Sequence, residues 1–549
     1  MKSRVYIGRD RISNMLGRNF WNELTFPKIF KDSADSIGPV LIERDGNPSM
    51  VIGAFDAAAF QSATKAIPFE TYASYFSWNH PKGYRPQSFT EAVRRLAGDD
   101  LLEIDADMPI GRFEALAQSG PAAIADPTAL HQPKGPCFLY RKRRQDIEAQ
   151  WCATRDADVP ALTPFVSSLR FGPELLHGMS SEPLGFAVLD RICRESGLAS
   201  IYVSAPFNVE MFTGLPSSVA ERYGITALYT PGSDAILILC PQSIERPDFA
   251  AAGHAPSLMA ALSDSRNDKL GIEREHLAVA IGRSLSDDGF TLADATYALR
   301  RWQDERAGTD LLYFITAANA VLHGIEHASQ FMNRRLAGGL TENEVAAVYH
   351  QGVQNFATLV GMDGRVHPYF DIIHSGERTL LPAIAGDYPL NSTDRTIKFD
   401  MGLLVTDAYG CVRGCSDIAR SVSPDADLQA AHDELRRLLV DELIPSIQSG
   451  MSGGEIHANG VEILRPMTTS LKRVGLLHEG MTMDGYTRDC GHTLQRQTLA
   501  TVHFLPDFKE RLHTGMLGCT EFVWPIDDKI IAAEDGYYVT EKGAVPFTI

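Results

Sequence analysis

The feature that most constrains this chain is a pair of aspartates on two neighbouring apolar stretches. Apolar residues dominate positions 397–405 around Asp400 and Gly402, a pattern typical of a buried β-strand that presents one carboxylate. Turn-forming residues follow between positions 407 and 414, and the next stretch carries Asp417. A hairpin would let Asp400 and Asp417 face each other, an arrangement that suits hard divalent cations.

Two further acids lie near the end of the chain. Glu521 closes the segment 515–521, Gly-Met-Leu-Gly-Cys-Thr-Glu, and Glu534 lies in the segment 530–536, Ile-Ile-Ala-Ala-Glu-Asp-Gly. Four converging carboxylates repel one another, so they stay ionised only beside a cation. The sequence therefore predicts a site that holds divalent metal, although ordinary surface acids are the alternative in a chain with 69 of them.

The order of these segments resembles a known family. Residues 400–402 (Asp-Met-Gly), 416–420 (Ser-Asp-Ile-Ala-Arg), 515–521 and 530–536 are similar to the metal-site motifs of the pita-bread metallopeptidases. That family includes methionine aminopeptidase, aminopeptidase P and prolidase, with creatinase as a metal-free relative. The resemblance implies a C-terminal pita-bread domain and a homodimer.

The resemblance also implies the composition of the metal site. Two divalent ions, manganese, iron, cobalt or zinc, would be held, although a divergent member can have lost one or both. Bound metal would lower the pKa of a water molecule so that hydroxide is available near neutral pH. Glu521 would act as the base beside the metals. The implied acidic ligands are Asp400, Asp417, Glu521 and Glu534.

The histidine ligand of the family has two candidate positions here. If Val502-His503 is placed on the family's acid–base histidine without gaps, Arg496 occupies the ligand position. If Gly491-His492 is placed on the family's Gly-His instead, His492 restores the ligand but extra residues precede His503. An arginine would neutralise the acids by paired hydrogen bonds, whereas a neutral imidazole would complete a metal shell. We favour His492 as ligand and His503 as the proton shuttle, with a buried structural role for His492 as the alternative.

Three arginines are candidates to hold a substrate carboxylate, because a guanidinium pairs with a carboxylate through two hydrogen bonds. Arg413 lies on a hairpin that is six residues longer than the family's, Arg420 follows Asp417, and Arg496 is described above. Arg420 has a structural salt bridge as its alternative. The family's upstream substrate histidine is missing, since residues 381–383 are Leu-Pro-Ala, and His367 or His374 could replace it.

The first half of the chain contains an apparent internal duplication. A strand–turn–strand pattern at 39–53 recurs at 227–239, and each copy continues to a further strand, at 101–105 and 269–273. Together with the resemblance, this predicts two creatinase-type N-terminal α/β domains followed by an α+β pita-bread domain. The expected limits are 1–165, 166–303 and 304–549, and in the last domain we expect helices at 310–334, from 341 and at 427–447.

Composition limits the partners and the compartment. The 549 residues carry a formal net charge of −18, which argues against nucleic acid and against an anionic membrane as partner. The N-terminus has no apolar run of signal-peptide length, and the eight cysteines are scattered. We therefore expect a cytoplasmic protein with reduced thiols that acts on a short peptide or a small molecule.

Three functions remain open from the sequence. The first is a metal-dependent hydrolase of the Xaa-Pro aminopeptidase and prolidase type, which cleaves a C–N bond. The second is a creatinase-like or lyase member that works on a small molecule with one metal or none, with Arg496 replacing a ligand. The third is a catalytically inactive scaffold, which the four acids disfavour because a dead site has no reason to keep unpaired buried charges.

Overall fold

The computed structural model divides the chain into two compact units. One consists of Met1–Trp151 with Gly185–Trp302, and the other of Cys152–Leu184 with Gln303–Ile549. The structure describes residues 2–16, 39–53, 60–61, 67–72, 87–125, 136–179, 185–245, 248–263, 269–335, 338–380, 385–391, 396–477, 480, 482–486, 488–496, 501–526 and 529–548.

The first unit contains two mixed sheets. One has the strand order β4-β3-β2-β1-β5-β6 and the other the order β11-β7-β10-β9-β8-β12-β13. Their strands are β1 (Lys2–Tyr6), β2 (Val40–Arg44), β3 (Asn47–Gly53), β4 (Phe69–Tyr72), β5 (Leu101–Ile104), β6 (Ala122–Ile124), β7 (Cys137–Arg143), β8 (Ser200–Val203), β9 (Thr226–Tyr229), β10 (Ala235–Cys240), β11 (Ala250–Ala255), β12 (Lys269–Ile272) and β13 (Thr291–Asp294).

The two sheets share the arrangement of five strands, β3-β2-β1-β5-β6 in one and β10-β9-β8-β12-β13 in the other, but β4 is parallel to β3 whereas β7 is antiparallel to β10. Strand β1 is antiparallel to β2 and parallel to β5, just as β8 is antiparallel to β9 and parallel to β12. An acid directly after β5 and another directly after β12 accept equivalent hydrogen bonds. Asp105 accepts hydrogen bonds from the Ile7 backbone and from Arg11, and Glu273 accepts them from the Ala205 backbone and from Asn208. The predicted duplication is confirmed by this topology, while the predicted limits at residues 165 and 303 stay a prediction.

Helices cover these sheets, and one of the apolar clusters of this unit includes strands of both sheets. Leu102 and Ile104 of the first sheet and Leu270 and Ile272 of the second belong to the same cluster of buried side chains. The helices of this unit are Arg9–Leu16, Phe89–Ala97, Ile110–Gln118, Phe186–Ser196, Pro206–Thr213, Ser217–Tyr223, Leu258–Ala261 and Val279–Asp287, and the helices Arg144–Ser168 and Thr296–Ala307 include residues of both units.

Helices of the second unit follow the sequence prediction closely. The predicted helices at 310–334 and from 341 are Leu311–Arg335 and Glu342–Leu359, and the second begins with the expected capping box of Thr341 and Glu344. The third prediction, 427–447, corresponds to Ala426–Leu438 followed by a π-helical turn, Leu439–Leu443, and a last short turn, Ile444–Ser446. The remaining helical segments are Gly172–Gly178, Gly308–Asp310, Gly376–Leu380, Gly453–Leu464, Arg465–Met467, Thr468–Val474 and Met483–Gly485.

Two antiparallel sheets form the centre of this unit. One joins β17 to β15, β18 and β19, the other has the order β20-β21-β22-β23, and a two-stranded sheet pairs β14 with β16. The strands are β14 (Leu340–Thr341), β15 (Val366–Ser375), β16 (Pro389–Leu390), β17 (Ile397–Thr406), β18 (Val412–Cys415), β19 (Ile418–Val422), β20 (Gly491–Thr493), β21 (Leu517–Ile526), β22 (Lys529–Thr540) and β23 (Gly543–Pro546).

Alternation along β17 decides which side chains are left for a site. Phe399, Met401 and Leu403 are fully buried in the core that the helix Leu311–Arg335 shares. Successive strand side chains point to opposite faces, so Lys398 and Asp400 project from the other face. A hydrogen bond from the Ala532 backbone to Ser421 Oγ, 3.0 Å, joins the two sheets on that side. This mixture of α/β and α+β sheets confirms the predicted fold class.

Helices of bilayer-spanning length and hydropathy do not occur among the described residues.

Candidate metal centre

The first aspartate lies on β17, the strand to which the other strands of its sheet are paired. Asp400 pairs with Ile372 of β15 on one side and with Ala419 of β19 on the other, so both neighbours fix its backbone. Asp417 immediately precedes β19, and its side chain is buried. Ligand oxygens of Asp400, Asp417 and Glu534 all lie within 4.8 Å of one another. The predicted convergence of two strand aspartates with a third acid is therefore present.

The two glutamates face each other across a hairpin. Glu521 of β21 is the register partner of Glu534 of β22, and both side chains are buried. Directly opposite residues on antiparallel strands have Cβ atoms about 5 Å apart, which is unfavourable for two like charges. The hairpin thus brings Glu521 beside the group formed by Asp400, Asp417 and Glu534.

Burial and mutual repulsion both disfavour the ionised form of these acids. Burial, followed by the charge of Asp400, raises the pKa of Asp417 well above its usual value. Burial also raises the pKa of Glu521 and of Glu534, with Asp400 and Asp417 adding to the shift. A divalent cation at this point would reverse that balance, because it favours the charged carboxylates.

One basic side chain enters the cluster that the sequence did not single out. Lys398 Nζ lies 3.1 Å from Asp400 Oδ2, and the lysine side chain is only 5% exposed. Its charge lowers the pKa of Asp417 and of Glu521, against the larger effect of burial. A charged residue two positions before Asp400 in an apolar strand was the available signal, since residues i and i+2 share a face. The expectation of acids without any counter-charge is corrected in this respect.

His492, rather than Arg496, lies at the carboxylates. Its Nε2 is 3.6 Å from Asp417 Oδ2, and its Nδ1 is 3.0 Å from the carbonyl oxygen of Thr493. A carbonyl can only accept, so Nδ1 carries the proton and Nε2 presents a lone pair to the acids. Burial lowers the pKa of His492, which favours this neutral form. Of the two candidates, His492 is the one that lies beside Asp417, and its role as a metal ligand stays a prediction.

His503 lies beside this histidine. The two residues form an isolated antiparallel bridge, with ring centroids 6.2 Å apart. His503 Nδ1 is 3.8 Å from Asp489 Oδ2, and Asp489 Oδ1 accepts hydrogen bonds from the backbones of Gly491 and Phe504. Burial raises the pKa of Asp489 to about 8. The sequence reasoning missed Asp489, which orders the segments that carry both histidines.

Cys519 is a second neighbour that the sequence reasoning missed. It is the register partner of His492, and its Sγ lies 3.6 Å from His492 Nε2. Potential ligand atoms of His492, Cys519 and Glu534 all fall within 4.8 Å of one another. Its position two residues before Glu521 on the same strand, and therefore on the same face, was the available signal.

The three arginines proposed for substrate binding all have carboxylate partners within the chain. Arg413 Nη2 and Arg496 Nη2 contact Asp310, at 2.5 and 2.7 Å, and Arg413 also lies 3.4 Å from Asp407. Arg420 donates to Asp535 at 2.6 Å and to the carbonyl oxygen of Glu534. The structural alternative for Arg420 is thus present, because these bonds hold β22 where Glu534 reaches the cluster. A role in substrate binding stays a prediction for all three.

The upstream histidines are engaged elsewhere. His374 Nδ1 lies 2.8 Å from buried Glu342, which also accepts a hydrogen bond from Arg378, and His367 Nε2 lies 3.2 Å from Thr406 Oγ1. Residues 381–383, where the family's substrate histidine is expected, lie outside the described residues. A substrate role for His367 or His374 stays a prediction.

The donors at the cluster fit a divalent metal. Among the described residues, Oε1 of Glu534 is buried and has no hydrogen-bond partner, an expensive state for a carboxylate oxygen. Carboxylates with one neutral imidazole suit manganese, iron, cobalt or zinc. The fold therefore places a metal-compatible donor set where its two sheets meet.

Comparisons with known proteins give likeness in structure only. No family model matches the sequence, and no curated protein matches it. Prolidase from Pyrococcus furiosus is 18% identical, with a TM-score of 0.47, over 66% of this chain and 99% of that one. X-Pro aminopeptidase from Thermotoga maritima MSB8 is 15% identical, with a TM-score of 0.46, over 66% and 98%.

A third similar structure is a domain of a complex subunit. The N-terminal domain of FACT complex subunit SPT16 from Cicer arietinum is 12% identical, with a TM-score of 0.48, over 66% of this chain and 95% of that domain. All three likenesses concern the fold alone. Each of the three covers about two thirds of this chain at low sequence identity.

Proposed function

We propose that the protein is a metal-dependent hydrolase that cleaves a C–N bond in a short peptide or a peptide-like small molecule. The observation that carries the proposal is the group of four acids, Asp400, Asp417, Glu521 and Glu534, of which the last three are buried, with a neutral histidine beside it. Such a group costs free energy in the folded state unless a cation binds it.

Each residue has a role that follows from its position. Asp417, His492, Glu534 and Glu521 would hold the metal, which supplies electrophilic activation and a water of lowered pKa when it is bound. Glu521, directly opposite Glu534 on the hairpin, would accept the proton of the attacking water at its carboxylate. His503, next to His492, would deliver a proton to the leaving nitrogen.

The charge of Lys398 disfavours the binding of a second metal ion at the cluster. Its ammonium group lies 3.1 Å from Asp400 Oδ2, close to where a second cation would share that carboxylate. We therefore propose one resident metal in the native chain, with the Lys398 charge in place of the other. The same contact favours the second candidate, a creatinase-like or lyase activity on a small molecule with one metal or none. The proposals of a homodimer and of a cytoplasmic location rest on the resemblance and on composition.

Metal content tests the proposal directly. Protein purified without chelator or affinity metal would be analysed by plasma mass spectrometry beside three variants. We expect about one equivalent of bound metal per chain in the parent. Asp417→Asn should bind little metal because it lacks a ligand, and Lys398→Met should bind about two equivalents because it lacks the competing charge. Arg496→Ala is the matched control, since Arg496 contacts Asp310 rather than the cluster, and its metal content should equal the parent's.

The alternatives predict other results. No metal in the parent and a gain in Arg496→Ala would contradict the placement of His492 and favour metal-free chemistry. If the parent binds metal but does not hydrolyse Xaa-Pro peptides or amides when manganese, cobalt or zinc is added, the substrate would be a small molecule with a C–N bond rather than a peptide. No metal, no thermal shift on adding one, and no hydrolysis would support the inactive scaffold.

A further inference from the structure

We propose that Cys519 is a metal ligand, so that the resident ion is bound by one thiolate as well as by imidazole and carboxylate. This inference rests on the proposed function and specifies its metal. The three atoms that support it belong to His492, Cys519 and Glu534, which form a group of potential ligands within 4.8 Å of one another. All three side chains are buried.

Strand register places the thiol on the face that holds the acids. Cys519 and Glu521 are two residues apart on β21, and His492 is directly opposite Cys519 on β20. Glu534 is directly opposite Glu521 on β22. Because side chains alternate along a strand, Cys519 and Glu521 point to the same face of the sheet. Directly opposite residues of antiparallel strands share a face, so His492 and Glu534 lie on that face as well. The position of the sulfur is therefore fixed by backbone pairing on both sides.

Distances at His492 match a tetrahedral ion. A metal with bonds of about 2.3 Å to sulfur and about 2.0 Å to nitrogen holds those two ligand atoms roughly 3.6 Å apart at the tetrahedral angle. Cys519 Sγ lies 3.6 Å from His492 Nε2, and Asp417 Oδ2 lies 3.6 Å from the same nitrogen. The sulfur–nitrogen distance is thus the one that a single ion would give these two ligands, and an oxygen of Glu534 lies within 4.8 Å of both atoms.

The protonation states agree with this role. His492 presents Nε2 because Nδ1 donates to the Thr493 carbonyl, which fixes the ring orientation as outer hydrogen bonds do in metal sites. Without metal, Cys519 carries its proton, because burial and the charges of Glu534 and Asp417 raise the pKa of the thiol. Metal binding would replace that proton, which leaves to solvent, and would form one metal–sulfur bond without any change in oxidation state.

A thiolate changes which metal the site prefers. Thiolate ligands favour zinc, cobalt and iron, whereas manganese prefers carboxylates and water. We therefore expect zinc or iron in the protein as purified, and weak retention of manganese.

Cobalt substitution tests the inference without an activity assay. Metal-free protein would be titrated with Co²⁺ under exclusion of oxygen, and the absorption spectrum followed from the near ultraviolet to the visible. We expect a thiolate-to-cobalt charge-transfer band together with visible ligand-field bands. In Cys519→Ser the charge-transfer band should disappear, and zinc affinity should fall by at least about tenfold. Cys490→Ser is the matched control, because Cys490 is equally buried and close in sequence to His492 but is not among the grouped ligand atoms.

The outcomes separate the two proposals. Cobalt that binds with ligand-field bands but without charge transfer would overturn the role of Cys519 and leave the metallohydrolase standing. A band that persists in Cys519→Ser, or that is lost in Cys490→Ser, would also overturn it. No cobalt or zinc bound at all would overturn the proposed function itself. Near-ultraviolet circular dichroism of each variant shows whether the fold is retained; if Cys519→Ser does not fold, the parent's charge-transfer band and its preference for zinc over manganese decide.

Discussion

Two buried charge clusters in the same unit differ in how their charges are balanced. The carboxylate cluster combines the acids Asp400, Asp417, Glu521 and Glu534 with Lys398, whose ammonium group lies 3.1 Å from Asp400. The arginine network pairs three acids with three bases. Its members are Asp158, Asp310 and Asp407 with Arg365, Arg413 and Arg496.

Hydrogen bonding follows the charge balance. In the network, Arg413 reaches Asp310, Asp407 and Thr154, and Arg365 reaches both oxygens of Asp158. Each buried guanidinium therefore has a carboxylate within reach, as expected of charges that stabilise the fold. In the carboxylate cluster, burial and like charges raise the pKa of three acids instead. Imbalance of charge, rather than burial, therefore distinguishes the candidate site from a cluster that stabilises the fold.

The largest effect is expected where balance is essential. Asp310→Asn would leave the buried guanidinium groups of Arg413 and Arg496 without their shared counter-charge. We expect the free energy of unfolding to fall by about 3–5 kcal/mol, measured by urea denaturation. Glu434→Gln removes an exposed partner of Arg437 and should change little. Equal effects of the two substitutions would contradict the distinction between network and surface pairs.

The lysine of the carboxylate cluster gives the next effect. Lys398→Met would remove its cation, so the metal-free protein should lose about 2 kcal/mol, the size of one hydrogen bond to a charged group. Added zinc should restore that stability. Lys142→Met is the control, because Lys142 is another buried lysine, paired with Asp248 in the other unit. Its loss should be insensitive to metal, and rescue of both variants by zinc would contradict our reading of Lys398.

Sequence reasoning located the carboxylate cluster because its members lie in ordered motifs. Asp400 and Asp417 were identified from a strand–turn–strand pattern, which is a local signal. Glu521 and Glu534 were identified because their segments resemble the family's motifs, and the structure pairs the two residues across a hairpin. The duplication of the N-terminal sheets and the helices after residue 310 were predictable for the same reason, since periodicity and capping are local signals.

What the sequence did not predict depends on contacts between distant residues. Arg413 and Arg496 were candidates for substrate binding because their partner, Asp310, is 103 and 186 residues away in the chain. The placement of His492 likewise required the pairing of β20 with β21, which no motif encodes. Cys519 resembled an ordinary apolar strand residue until that pairing brought it opposite a histidine.

Acid sensitivity separates the two clusters by sign. Burial would raise the pKa of Asp158, but hydrogen bonds from Arg365 and Tyr313 outweigh it and lower the pKa below its usual 3.8. The stabilisation from Asp158 is therefore complete above that value and is lost as the pH falls through the lower folded-state pKa. Asp158→Asn should cost about 1–2 kcal/mol at neutral pH, and the difference from the parent should shrink below about pH 4. A difference that is constant from neutral to acid pH would contradict the ion pair.

The smallest effect has the opposite sign. Asp417→Asn removes one of the mutually repelling acids, so the metal-free protein should gain stability, on the order of 1 kcal/mol, in urea denaturation at neutral pH. In the arginine network, the matched change Asp407→Asn should lower stability, because Asp407 lies 3.4 Å from Arg413. With zinc present, Asp417→Asn should be less stable than the parent, since the parent gains binding free energy that this variant cannot gain. If removal of Asp417 destabilised the metal-free protein as removal of Asp407 does, the carboxylate cluster would be a balanced structural element, and the main support for a metal centre would be lost.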